Sequence, residues 1–267
     1  LGGRQLIDDF QLNGGFHVKA EISLSSPRLI SQSALPTPAK NNLIGSSYIR
    51  YIDRTQVSYL EASTSFGERK EVQLPDGTTL ILNSCSRVHY PDRFTGKERR
   101  IELEGEGYFR VYHNEKQPFI VDTRHFDVRV LGTCFNIKSY SSDEVVSVDV
   151  ESGKVQVDLP EAMMRLRAKE QVLINTVSGE YNKRREERTM AVWRKGNLRF
   201  NSTPIHDVAK ELERMYNCRI TFAEGQNFDN LISGEHDNKS LDAVLQAVEY
   251  TSGIHYKRMG NMIQLYK

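Results

Sequence analysis

Val72-Gln73-Leu74-Pro75-Asp76-Gly77-Thr78-Thr79-Leu80-Ile81-Leu82 decides how the middle of the chain is read. Two apolar runs flank Pro-Asp-Gly. Proline presets φ for a turn, aspartate bonds its own backbone nearby, and glycine takes the left-handed corner. The stretch therefore reads as a β-hairpin. Similar short runs follow at Arg100–Leu103, Tyr108–Tyr112, Phe119–Asp122, Phe126–Leu131, Phe135–Ser139, Val145–Val150, Val155–Val157 and Gln171–Ile174. Gly105-Glu106-Gly107, Asn114-Glu115, Thr123-Arg124-His125, Ser141-Ser142-Asp143 and Ser152-Gly153 separate them as turns. Many short strands at such spacing predict an all-β domain over residues 67–188, either a sandwich, a barrel or a solenoid-like stack.

Toward the C-terminus the period changes. Ile205, Val208, Ala209, Leu212, Met215 and Tyr216 fall on one helical stripe, with Thr203 as N-cap and Pro204 at the first helical position. Arg219–Phe222 follows as a strand. Ser240 caps a second helix carrying Leu241, Val244, Leu245 and Val248, and Gly253 ends it. With strands at Leu198–Phe200, Leu231–Ile232, His255–Arg258 and Met262–Tyr266, residues 189–267 form a β-α-β-β-α-β-β module, read as two helices on one face of a sheet. The fold class is thus multidomain: all-β with stacked short antiparallel strands, then a small α+β domain. Residues 1–66, broken by Gly2-Gly3, Gly14-Gly15 and Pro36-Thr37-Pro38, read as an extended, partly ordered arm. Lys183–Arg188 carries nearly balanced charges and reads as a solvated connection.

The chain has 267 residues, enough for one to two domains with a real core. Lys plus Arg is 36 against 35 Asp plus Glu, a net charge of +1. That balance argues against nucleic acid or an anionic membrane as a chain-wide partner. Mean hydropathy is −0.54, and the longest purely apolar run is Met190–Trp193, so no transmembrane helix is present. The chain lacks an initial Met and a signal-like start, which marks it as processed or cut from something longer. Cys85, Cys134 and Cys218 show no zinc spacing, so no metal is expected.

Signatures of common enzymes, including nucleophile elbows, phosphate loops and zinc helices, are absent. No cofactor is expected. Glu102, Glu104 and Glu106 alternate along one strand and its turn, which reads as a solvated face. Gly132-Thr133 lies inside the strand pattern Val130–Asn136. Glycine there marks a bulge or a close backbone approach. The chemical reading is self-cleavage. The Thr133 hydroxyl would attack the Gly132 carbonyl, giving an ester that water hydrolyses, and glycine relaxes the geometry.

Ordered blocks carry a family resemblance. They are Leu74–Thr78 with Leu82-Asn83, Tyr90-Pro91 and Phe94; Arg100–Phe109; Pro118–Val121; Leu131–Asn136; and Glu151–Val155. Together they resemble the periplasmic domain of FecR-type anti-sigma factors. Trp193, Gly196–Phe200 and Leu212–Asn217 resemble the C-terminal domain of Bacteroidetes members, which is similar to the short N-terminal module of secretins and TonB-dependent receptors. The resemblance implies a non-enzymatic, single-pass inner-membrane regulator, here a soluble periplasmic piece. A cytoplasmic segment, absent here, would bind an extracytoplasmic-function sigma factor. The periplasmic part would take a signal from an outer-membrane TonB-dependent receptor. The resemblance also implies processing at Gly132-Thr133 in some members. Strand addition at an edge formed by Leu198, Arg199 and Phe200, or by Met262–Tyr266 with Ile263 and Leu265, is the expected mode of partner binding. The alternative is a periplasmic glycan-binding β protein, which would need Trp193 as an exposed platform.

Overall fold

The computed structural model describes residues 56–185, 187, 189–237 and 240–267. Most of the expected N-terminal arm lies outside the described residues. Its last part does not: β1 (Tyr59–Ser63) pairs antiparallel with β4 (Arg87–Pro91) and already belongs to the β domain.

The hairpin is present. β2 (Lys70–Gln73) and β3 (Thr79–Leu82) pair antiparallel. Gly77 has φ +86°, and the Asp76 carboxylate accepts from the Thr78 N–H at 3.0 Å. The next expectation is corrected. Gly105-Glu106-Gly107 is no turn but the middle of one twelve-residue strand, β5 (Arg99–Arg110). Its first half pairs with β4 and with β6 (Phe119–Asp122), and its second half with β3 and β8 (Cys134–Ser139). Gly105, at φ +105°, makes the bend. A Cβ there would lie 2.5 Å from Ser86 Oγ, so only glycine fits.

Around β5, thirteen strands of the described residues form one curled sheet. On one side β6 leads to β7 (Asp127–Val130), β10 (Lys154–Asp158) and β11 (Met163–Arg167). On the other, β8 leads to β9 (Val145–Ser152), β12 (Glu170–Asn175) and β13 (Tyr181–Arg185). Val88, Ile101, Val121 and Val157 from one half meet Leu80, Phe109, Phe135 and Val148 from the other in a single core. A buried arginine closes one end. Arg99 bonds Asp76 at 2.6 Å and donates to the Tyr112 carbonyl at 2.8 Å. β13 corrects the reading of Lys183–Arg188 as a connection over its first three residues, 183–185: Lys183 pairs with Glu170 at 2.8 Å, and Arg184 Nε donates to Gln171 at 2.6 Å.

A 3-10 turn (Val192–Lys195) leads into the C-terminal module. Its elements are β14 (Leu198–Pro204), α1 (Ile205–Tyr216), β15 (Arg219–Phe222), β16 (Leu231–His236), α2 (Leu241–Ser252), β17 (His255–Met259) and β18 (Met262–Tyr266), in the expected order. The layering differs. There are two sheets, β14-β16 and β15-β18-β17. Each helix contacts strands of both sheets, so the helices lie between them. Ser240 caps α2, accepting from the Ala243 N–H at 3.3 Å, and Gly253 ends it at φ 70°. Thr203 does not cap α1: it lies in β14 and accepts from the Asn201 N–H at 3.1 Å, leaving Pro204 at the cap.

Candidate functional site

Strand alternation builds the site. In β9, Val146, Val148 and Val150 point into the core and leave Ser147 and Asp149 on the outer face. In β8, Phe135 and Ile137 point inward and leave Asn136 and Lys138 outward. Register then aligns two cross-strand rows. Tyr108, Asn136, Asp149, Gln171 and Arg184 form one; Glu106, Lys138, Ser147, Leu173 and Asn182 form the other. These outward residues are largely polar, yet Glu106, Asn136, Ser147 and Asp149 are buried. Glu106 therefore does not belong to a solvated face.

The C-terminal module provides the cover. The Trp193 indole N–H donates to Asn136 Oδ1 at 3.2 Å. Asn136 Nδ2 and Asn83 Nδ2 donate to the two Glu106 oxygens at 2.9 and 2.8 Å. The Arg194 guanidinium lies 3.7 Å above the Tyr108 ring. From α1, Asp207 accepts from the Glu144 and Val145 N–H groups at 3.0 Å, Glu211 holds Lys138 at 2.7 Å, and Arg214 bonds both Asp143 oxygens at 2.8 and 2.9 Å while stacking on Tyr140. Asp143 is fully buried in this pair. Beside the clamp a cleft of about 740 Å³ remains, floored by the two rows and walled by β13, Trp193 and β14. Burial pushes the Asp149 carboxyl up to about 7, Glu106 adding to the effect and the Ser147 and Gln171 bonds opposing it. Burial also raises Glu106. Lys138 loses hydration on burial, but Glu211 and Asp143 outweigh that and raise its pKa. A cleft with convergent polar groups and shifted carboxyls is a natural binding site.

The residues singled out from sequence fall in two places. Gly132 and Thr133 lie between β7 and β8, just before a shift in the β8-β9 register at Cys134/Phe135. A Cβ on Gly132 would sit 2.5 Å from His113 Nδ1, so the backbone is closely approached there. The Thr133 hydroxyl donates to the Lys154 carbonyl at 2.9 Å. Leu198, Phe200, Ile263 and Leu265 come together as buried core of the C-terminal module. Arg199 is outside that core and pairs with Glu235 at 2.6 Å. Met262–Tyr266 is corrected as an edge: β18 is central, with β15 and β17 on its two sides. Among the described residues β14 pairs only with β16, which leaves its other edge without a strand partner among them, and β14 lines the cleft. Trp193 is buried, which removes the glycan platform.

Sequence reasoning put Glu106 on a solvated face and gave no role to Asn136, Asp149, Asp143 or Arg214. The alternation of Ser147 and Asp149 with three valines was the available signal for the outer row, but nothing local tells what covers it. Among the described residues no group of three or more His, Cys, Asp or Glu could hold a metal ion. No helix among them is long and apolar enough to cross a membrane.

Comparison with known proteins gives two family matches, FecR protein over residues 61–156 and the FecR C-terminal domain over residues 197–265. Two crystal structures from Parabacteroides distasonis ATCC 8503, described as an anti-sigma factor, are 47% and 48% identical. They cover 79% and 78% of this chain and 99% of their own, with TM-scores of 0.77 and 0.76. No curated protein matches.

Proposed function

Because the chain belongs to the FecR family of anti-sigma factors, whose role is regulatory signal transduction, we propose that it is the receptor-facing part of a membrane-anchored regulator. It takes a signal from an outer-membrane TonB-dependent receptor on the periplasmic side. It passes that signal to an extracytoplasmic-function sigma factor through a cytoplasmic segment. The observation that carries this reading is the edge of β14 that has no strand partner among the described residues, on a module clamped to the β domain by α1. A partner strand added there would gain main-chain hydrogen bonds. Its pull on β14 would reach α1, which follows it directly, and through Asp207, Glu211 and Arg214 the outer face of the sheet.

The test is calorimetry of the whole chain against the plug-proximal domains of TonB-dependent receptors, followed by hydrogen exchange of the complex. Binding with new protection of residues 198–204 supports the reading. Lack of binding to any such domain sinks it, and binding that leaves β14 unprotected moves the docking site elsewhere. The glycan-binding alternative loses the platform it required, since the Trp193 indole is buried and committed to Asn136.

A further inference from the structure

We propose that the cleft floor is a proton-operated latch: neutral Asp149 lets Trp193 stay seated on Asn136, and ionised Asp149 draws cleft water in beneath the indole. The geometry starts from two carboxyls on one sheet face beneath one tryptophan. Asp149 on β9 stands opposite Asn136 on β8 and Gln171 on β12. It accepts from Ser147 Oγ at 3.2 Å and from Gln171 Nε2. Asn136 in turn joins Trp193 to Glu106. A change at Asp149 therefore meets the residue that anchors the covering turn.

Among the described residues no cation bonds either carboxyl. Arg184 bonds Gln171 rather than Asp149, and its charge lowers the Asp149 pKa only as the last of the causes, behind burial. Lys138, opposite Glu106 in register, bonds Glu211 and lies 3.7 Å from Asp143. Asp207 is spent on two backbone N–H groups and Lys210. Arg194 lies 3.7 Å from Glu151, and Arg199 pairs with Glu235. Glu180, also lining the cleft, is exposed and adds negative charge. A negative charge on Asp149 thus has no direct counter-ion and costs desolvation unless water enters. The cleft beside it is large enough to admit that water.

Burial, with Glu106 nearby, places the Asp149 transition at about 7, well above the ordinary aspartate range. The folded form with Trp193 seated holds the proton that the released or unfolded form gives up. Seating of Trp193 is therefore favoured at low pH and is lost as pH rises through the folded value. The latch rests on the cleft alone, and only its bearing on partner docking at β14 rests on the proposed function.

Trp193 is the single tryptophan and reports the state of the cover. Its emission maximum and acrylamide quenching would be followed on the whole chain from about pH 5 to 9 without any partner, bracketing the shifted carboxyl. The expected result is one transition near pH 7, with a red shift and stronger quenching on the alkaline side. Asp149→Asn should abolish it and hold the low-pH signal. Glu106→Gln should keep it and lower its midpoint, because Glu106 raises the Asp149 carboxyl. Far-UV circular dichroism confirms that each variant is folded. A flat wild-type profile overturns the latch, as does an unchanged transition in folded Asp149→Asn. If that variant does not fold, a Glu106→Gln midpoint equal to wild type overturns it. Failure of receptor binding would leave this result untouched.

Discussion

Replacing Arg214 by methionine tests whether the two domains act as one body. Its guanidinium makes two bonds to Asp143, at 2.8 and 2.9 Å, and lies 3.8 Å from the Tyr140 ring centre. Asp143 is 0% exposed and Arg214 10%, so the pair is a buried one. Methionine keeps much of the stem volume but strands the Asp143 carboxylate, with only Lys138 at 3.7 Å as a charged neighbour. Removing one partner of such a pair costs about 3–5 kcal/mol. At a urea slope of about 2 kcal/mol per molar, the midpoint falls by about 1.5–2.5 M. Unfolding would be followed by Trp193 fluorescence, which reports the junction, and by far-UV circular dichroism, which reports the sheet. In Arg214→Met the fluorescence transition should come first. The cycle with Asp143→Asn isolates the pair, because the double variant leaves neither charge stranded. The double variant should lose less than the two singles together, by about 2 kcal/mol or more. A loss under about 1 kcal/mol from Arg214→Met, or strict additivity, would place this pair with solvated surface bridges and refute the clamp.

Two further tests address other parts of the molecule. Gly105→Ala places a Cβ 2.5 Å from Ser86 Oγ and 2.8 Å from Ser86 Cα at φ +105°, so it should cost roughly 2 kcal/mol or more in urea melts; a change within about 0.5 kcal/mol would mean β5 is not pinned at its bend. Processing at Gly132-Thr133 would yield two masses that sum to the 30.6 kDa chain plus one water, and Thr133→Ala would stay intact; a single wild-type species after days at neutral pH removes self-cleavage, leaving the Thr133 hydroxyl as the donor that ties residue 133 to Lys154.

The sequence carried its periods and turns well and its coverings poorly, and particular residues show why. Pro75-Asp76-Gly77 acts through its own backbone, so it was legible and the hairpin stands. Ser240 and Gly253 act within one helix and were legible for the same reason. Gly105-Glu106-Gly107 looks like a turn in any local reading. It becomes a bend inside β5 only because Ser86, nineteen positions earlier, occupies the space a side chain would need. The order of elements in the C-terminal module is the same for one sheet or two. Only the parallel pairing of β15 with β18 and the separate β14-β16 pair decide between them.

The site was half legible for a related reason. Alternation in Val145–Val150 says that Ser147 and Asp149 leave the core, and they do. It does not say that they leave it for the underside of another domain. That depends on contacts such as Lys138 with Glu211 and Asp143 with Arg214, which are 73 and 71 positions apart. A polar outer face is cheap for a lone domain in water, and once covered it demands a partner for every group. The dense bonding around Glu106, Asn136 and Lys138 meets that demand, and Asp149 meets it without a bonded cation. The same cover that makes the two domains continuous therefore leaves two buried carboxyls, Glu106 and Asp149, without a bonded cation, and only Asp149 without an amide on each side from the cover network. In this fold a clamp and a proton-sensitive floor are two consequences of laying α1 and Trp193 over a polar sheet.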